Sequence, residues 1–318
     1  MHAKQVPKRV QLCEVSPRDG FQAEKKWIPT EDKIKLINLL HQAGVMSMEV
    51  TSFVHPLAIP QLKDAEQVVA AVRNLPDLAL RALVPNIRGA ERAFLAGIKE
   101  IKCILSASDS HSLANTNCTV DQALARIQSI ADYAEKKEIK VTGSISVAFG
   151  CPYEGEVSLR QIEHLVLGYT QLGIQEITLA DTTGMANPRQ VYNIFEELRD
   201  RFPDVIFSAH FHNTRGLAQA NVLAALQQGI TEFDSSIAGL GGCPYAPGAS
   251  GNVATEDLTF MFHEMGIETG INLENLLQAS GEMKKVVGHD GGSFLLQAGL
   301  PKKHQKPVGQ IKEDESPG

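Results

Sequence analysis

No run of apolar residues in this 318-residue chain approaches the roughly 18 needed to cross a bilayer, so no membrane-spanning helix is expected. Residues 1–10 carry charges but no apolar core segment, so no secretory signal is expected there. The five cysteines, Cys13, Cys103, Cys118, Cys151 and Cys243, are odd in number, widely spaced and never arranged as CxxC. That pattern excludes a disulfide framework and a zinc knuckle, and points to a reducing compartment. A soluble, cytoplasmic protein is the expectation. An excess of basic residues is also missing. Thirty Lys and Arg against 37 Asp and Glu leave a formal net charge of -7, which disfavours a general nucleic-acid or anionic-membrane binder. No GxGxxG follows the first strand candidate, which weakens a dinucleotide-binding reading. The single tryptophan, Trp27, receives no role.

What is present is a regular alternation. Short apolar runs at 10–15, 45–51, 79–84, 101–106, 140–148, 176–180, 205–212 and 232–237 read as strands. Helical patterns stand between them. Thr30 is placed to cap the first, with Lys33 at its third position and Ile34, Ile37, Leu39 and Leu40 forming its apolar stripe; Gly44 stops it. Further helices are predicted at 61–74, 86–96, 120–137, 158–172, from Pro188, and at 215–228, with 106–115 read as a polar loop. Eight such units predict an α/β fold, a closed (β/α)8 TIM barrel, with additional C-terminal helices near 272–286 and 292–299. Residues 1–300 are expected to form one catalytic domain. Residues 301–318, polar and rich in Lys, Glu and Pro, are expected to be a disordered tail.

In such a barrel the active site lies at the C-terminal ends of the strands, and the unusual polar residues fall there. His210 and His212 sit two apart on strand seven, so their side chains share a face and can hold two adjacent positions of one metal ion. The alternative is a pair of interior histidines hydrogen-bonded to neighbours. Asp19, after strand one, is the natural third ligand, or else a loop Asp turning into Gly20. Asn252 offers an amide oxygen, or else caps a helix starting near Thr255. An oxygen-rich mixed set suits Mg²⁺ or Mn²⁺, although imidazole also suits Zn²⁺. Arg18 places a cation beside that site, aimed at a developing anion or paired with Glu49, which stands at the end of strand two. Asp181 stands just after strand six. Cys243 lies in the glycine-dense loop 239–252, where an accessible thiol can do acid–base or nucleophilic work, or can be inert. The loop glycines admit close approach of a ligand to the backbone, with phosphate cradling as one use.

Three runs carry a resemblance: E-V-S-P-R-D-G-F-Q at 14–22, H-F-H-N-T-R-G at 210–216 and G-L-G-G-C-P-Y-A-P-G-A-S-G-N at 239–252. Through them, and along about residues 7–300, the chain resembles the 3-hydroxy-3-methylglutaryl-CoA (HMG-CoA) lyase family of metal-dependent (β/α)8-barrel lyases and synthases. Related acyl-CoA synthases carry G-x-G-E-R-x-G-N in the last loop. Here Gly242-Cys243 replaces that Glu-Arg, and the loop is longer. The resemblance implies metal ligation by Asp19, His210, His212 and Asn252, with Mg²⁺ or Mn²⁺ as cofactor. It implies Cys243 as catalytic thiol, Arg18 as essential cation, Glu49 and Asp181 as supporting carboxylates, and Gln22 as a positioning group beside Arg18 in substrate binding. The implied reaction is retro-Claisen cleavage of HMG-CoA to acetoacetate and acetyl-CoA. Asp19 or a relay through His210 would be the base, Arg18 would stabilise the enolate oxygen and Cys243 would donate the final proton. A homodimer and a place in leucine breakdown or ketone-body formation are implied by resemblance only. The alternatives are a lyase or aldolase acting on a related 3-hydroxyacyl-CoA, a 2-alkylmalate-type condensing synthase, and an inactive metal-binding barrel.

Overall fold

The computed structural model describes residues 6–242 and 251–301. Eight parallel strands, β1 (Gln11–Glu14), β2 (Ser47–Ser52), β3 (Ala79–Leu83), β4 (Glu100–Ser106), β5 (Lys140–Ser146), β6 (Glu176–Asp181), β7 (Ile206–Phe211) and β8 (Glu232–Ser235), pair in chain order. Hydrogen bonds between β8 and β1 close the barrel. Between the strands run α1 (Thr30–Gln42), α2 (Ala65–Val72), α3 (Ile87–Ala96), α4 (Asp109–Thr116), α5 (Val120–Lys136), α6 (Leu159–Gln171), α7 (Pro188–Arg201) and α8 (Ala218–Gln227). After β8 follow α9 (Thr255–Glu264), α10 (Leu273–Val287) and α11 (Phe294–Ala298). Among the described residues no helix is long and apolar enough to cross a membrane.

Strand alternation explains the layering. On β7, Phe207, Ala209 and Phe211 bury outward against helices, with the Phe207 ring 6.4 Å from Phe195 of α7. Phe233 of β8 packs on Phe262 of α9 at 5.8 Å. Many of the inward positions are polar. Glu49, Arg81, Lys102, Thr142, Ser144, Thr178, His210 and Asp234 are all buried. A barrel interior of this kind is usually filled by branched apolar side chains. Buried charge here must instead be neutralised locally, because an unpaired buried ion is costly.

Several local expectations are corrected. Thr30 is not the cap of α1. Pro29, extended at φ −55° and ψ 143°, precedes the helix, and Thr30 Oγ1 instead donates to Asp64 Oδ2 at 2.8 Å. Lys33 Nζ reaches the other oxygen of Asp64 at 2.7 Å, so this pair of residues ties α1 to the start of α2. The segment 61–74 is a 3₁₀ turn at Pro60–Leu62 followed by the shorter α2. The polar stretch 106–115 contains α4, whose first turn is capped by Ser108 Oγ accepting from His111 N at 3.2 Å. Glu49 lies within β2 rather than at its end. The tail 302–318 lies outside the described residues.

Three buried carboxylates pin the rim. Glu14 accepts from Ser16 N at 2.9 Å, Ile237 N at 3.0 Å and Thr255 Oγ1 at 2.6 Å. Glu256 accepts from Ala238 N at 3.0 Å, and Ala238 has a φ of 55° that only a firm anchor maintains in a non-glycine residue. Asp257 accepts from Ser293 Oγ at 2.9 Å and Leu295 N at 2.8 Å. Burial pushes the Glu256 carboxyl up to about 8.

Two measurements check this account. The Tyr169 hydroxyl of α6 lies 2.9 Å from both Cys103 O and Ser144 O, joining β4 to β5 from outside. Tyr169→Phe leaves these buried carbonyls without that donor and is expected to lower the unfolding free energy by about 1–3 kcal/mol in urea titrations. Glu256 has a folded pKa above its unfolded value of 4.5. Its stabilising contribution is therefore complete below about pH 4.5 and is lost as pH rises through about 8. Glu256→Gln, neutral throughout, is expected to flatten the fall in stability between those limits.

Candidate active site

The chain leaves β1 in a single tight turn, Ser16–Gly20, in which the backbone N–H groups of Arg18, Asp19 and Gly20 converge on Val15 O at 3.1, 2.7 and 3.3 Å. This turn puts Arg18 and Asp19 side by side at the mouth of the barrel. Arg18 is buried between two carboxylates: Nε donates to Glu49 Oε1, and Nη1 donates to Asp19 Oδ1 at 2.5 Å. Burial opposes the guanidinium charge, but Glu49 and Asp19 outweigh it and hold Arg18 more firmly protonated than usual. Burial likewise opposes ionisation of Asp19. Arg18, the two histidines and the Asn252 amide prevail, and hold its carboxyl well below the usual range.

The H-x-H pair straddles the end of β7, with His210 in the strand and His212 one residue beyond it. His210 Nε2 and His212 Nε2 face each other at 3.1 Å, and His212 Nε2 lies 3.8 Å from Asp19 Oδ2. Burial, reinforced by the neighbouring His210, pushes His212 down to about 4 despite Asp19. Asn252 does not cap α9, whose N-cap is Ala254. It forms an isolated bridge with His212 instead, and its Nδ2 donates to Asp19 Oδ2 at 2.7 Å and to Leu240 O at 2.9 Å. The ligand atoms of Asp19, His210 and His212 all lie within 4.8 Å of one another. Asn252 Oδ1 is buried without a hydrogen-bond partner among the described residues. Two opposed imidazole nitrogens, a fixed carboxylate and an orphaned amide oxygen make a donor set that a divalent cation satisfies.

Two of the loop glycines are required by the packing of the protein itself, while Gly242 stands on the cavity wall. A Cβ on Gly251 would fall 2.0 Å from Gly241 O, and one on Gly241, at φ 104°, would fall 2.5 Å from Asn252 Nδ2. These glycines let the two ends of the loop pack back to back and seat Asn252 on Asp19. Cys243 lies outside the described residues.

A cavity of about 530 Å³ opens from this cluster. Arg18, Asp19, Gln22, His210, His212 and Gly242 line one end, and His55, Asn86, Asn115, Thr116 and Arg126 line the other. Asp181, at the end of β6, does not join the cluster directly. It accepts from Met185 N at 2.7 Å and Ala186 N at 3.1 Å, so it shapes the loop after β6; burial pushes it up to about 6.

Two residues at the site escaped the sequence reading. Lys102 of β4 places Nζ 2.9 Å from Asp234 Oδ2 and 3.3 Å from Glu49 Oε2. Asp234 of β8 lies 3.2 Å from His210 Nδ1. The available signal was a charge at an inward position inside an apolar strand, in the runs E-I-K-C-I-L-S and E-F-D-S.

Comparison with known proteins gives the family and supports the fold. The HMGL-like family model matches residues 9–282. A hydroxymethylglutaryl-CoA lyase of Bacillus subtilis is 45% identical over 291 residues, 92% of this chain and 97% of that protein. The mitochondrial human hydroxymethylglutaryl-CoA lyase is 41% identical over 293 residues, 92% of this chain and 90% of that protein. Among solved structures, a Bacillus subtilis HMG-CoA lyase superposes with TM-score 0.90 at 45% identity, covering 92% of this chain and 98% of that one. An HMG-CoA lyase of Acinetobacter baumannii in complex with coenzyme A and 3-methylmalate gives 0.89 at 45% identity, covering 94% and 98%. The carboxyl transferase domain of Rhizobium etli pyruvate carboxylase, at 17% identity and TM-score 0.70, shares the fold alone. With a family match over most of its length and full-length relatives above 40% identity, the chain belongs to the HMGL-like family.

Proposed function

We infer that this chain is a lyase that cleaves 3-hydroxy-3-methylglutaryl-CoA to acetyl-CoA and acetoacetate. The observation that carries the reading is the joining of the Arg18–Asp19 pair to His210 and His212 on the wall of one cavity, with Asn252 bonded to Asp19, in a chain 45% identical to a lyase of that name. The closed barrel within the family match supports one catalytic domain over residues 1–300.

Asp19, His210, His212 and Asn252 would hold a divalent cation, for which Mg²⁺ or Mn²⁺ suits the mixed nitrogen and oxygen donors. Such an ion acts as a Lewis acid on the oxygens of a bound hydroxy acid. The reaction itself moves few atoms. The proton on the C3 hydroxyl passes to a base, assigned on the family pattern to a relay through His210, the C2–C3 bond breaks, C3 becomes the ketone of acetoacetate, and the bonding pair passes to C2 as a thioester enolate. Protonation at C2 completes acetyl-CoA. Arg18, fixed between Glu49 and Asp19, is the cation available for the enolate oxygen, and a single well-aimed donor of this kind is worth roughly 3 kcal/mol. Asp19, held ionised by Arg18, suits ligation better than proton abstraction. Cys243 is assigned the final protonation on the family pattern of its loop. Gln22 shares the cavity wall with Arg18 and is assigned to positioning the acyl group.

Coupled assay of acetyl-CoA release from HMG-CoA tests the reading. Chelation is expected to abolish release, and Mg²⁺ or Mn²⁺ to restore it. Absence of release by folded, metal-supplemented protein would overturn the substrate assignment. Cys243→Ala is expected to lower turnover by roughly 10²–10⁴-fold while Mn²⁺ binding persists.

A further inference from the structure

His210 shows its two ring nitrogens to different partners. Nε2 faces His212 Nε2 at 3.1 Å, inside the ligand cluster. Nδ1 faces Asp234 Oδ2 at 3.2 Å, on the neighbouring strand. The facing is built into the sheet, because His210 and Asp234 are direct register partners of β7 and β8 and both point inward. An ionised carboxylate has no proton to give, so the nitrogen opposite it carries the ring proton. A proton on Nδ1 leaves the lone pair on Nε2, where a metal ligand needs it.

Lys102 fixes the carboxylate in turn. Its ammonium group donates to the same Asp234 oxygen at 2.9 Å and lies 3.3 Å from Glu49 Oε2. Lys102, Glu49 and Asp234 are all buried. His212 provides the contrast. Its Nδ1 is buried and has no hydrogen-bond partner among the described residues. Of the two imidazoles, His210 is therefore the one whose tautomer is set by a second group.

We propose that Asp234, anchored by Lys102, is a positioning residue that holds His210 in its Nδ1–H tautomer and aims Nε2 into the Asp19–His212 cluster. The inference rests on the reading of that cluster as a divalent-metal site. Carboxylate partners of this kind hold the ring orientation and raise ligand basicity, and their loss typically costs 10–100-fold in metal affinity.

Two measurements decide it. Nitrogen-15 NMR of metal-free protein, with His210 assigned from a His210→Gln sample, is expected to show the proton on Nδ1; a proton on Nε2 overturns the proposal whatever any variant does. Mn²⁺ titration followed by electron paramagnetic resonance is expected to show affinity reduced roughly 10–100-fold in Asp234→Asn, with the thermal transition retained. Equal affinity in folded Asp234→Asn overturns the proposal. Where Asp234→Asn fails to fold because Lys102 loses a carboxylate, the double variant Lys102→Met with Asp234→Asn removes both charges and is read in the same way. If the unsubstituted protein binds no Mn²⁺, the metal-site reading fails and the positioning role fails with it, whereas weakened binding confined to the variants isolates the role of Asp234.

Discussion

The ammonium group of Lys102 holds two buried carboxylates, Glu49 and Asp234, in the middle of the barrel, and the reactive end is arranged around that junction. From Glu49 the contacts pass to Arg18 and on to Asp19. From Asp234 they pass to His210, then His212, and return to Asp19. The two branches close a ring. Its members cannot be removed singly at low cost, because each buried ion loses several kcal/mol of hydration that only its neighbours offset. Three carboxylates against Arg18 and Lys102 leave the ring one formal negative charge when both imidazoles are neutral, which is the sign a cation site requires.

The fold was legible because the two faces of each strand obey different rules. Outward residues such as Phe207, Ala209 and Phe211 pack against helices and produce the apolar runs that mark strands. Rim residues were legible for the opposite reason. Arg18, Asp19, His210, His212 and Asn252 break the apolar pattern at strand ends, where a barrel of this type does chemistry. Lys102 and Asp234 failed both tests. They lie inside runs that score as strand, and a reading that asks only whether a segment is apolar passes over a single charge at an inward position. The helix α4 was missed because it has few buried residues, His111 and Ser112 among them, and depends on the Ser108 cap rather than on an apolar stripe. Thr30 misled because a threonine before an apolar stripe looks like a cap, whereas Pro29 sets the first turn and frees the hydroxyl for Asp64.

The glycine-dense segment after β8 has a packing role beside any room it leaves for a ligand. Glycines near a site suggest room for a ligand. Here Gly241 and Gly251 make room for the protein itself, since any Cβ at either would strike backbone or the Asn252 amide. Asn252 N and Nδ2 both donate to Leu240 O, at 3.3 and 2.9 Å, so the two ends of the loop are clamped together at its neck. Below the neck, Glu14 and Glu256 hold Ile237 N and Ala238 N, which carries the constraint back to β1 and α9. The position of Asn252 is thus set by steric exclusion above and by buried carboxylates below. A larger side chain at position 241 would displace the amide from Asp19 and crowd the carboxylate as well, because its Cβ would fall 2.5 Å from Asn252 Nδ2 and 3.2 Å from Asp19 Oδ2. The proposed ligand set therefore depends on residues with no donor atom of their own, and the motif's glycines are as much a part of the site's geometry as its histidines.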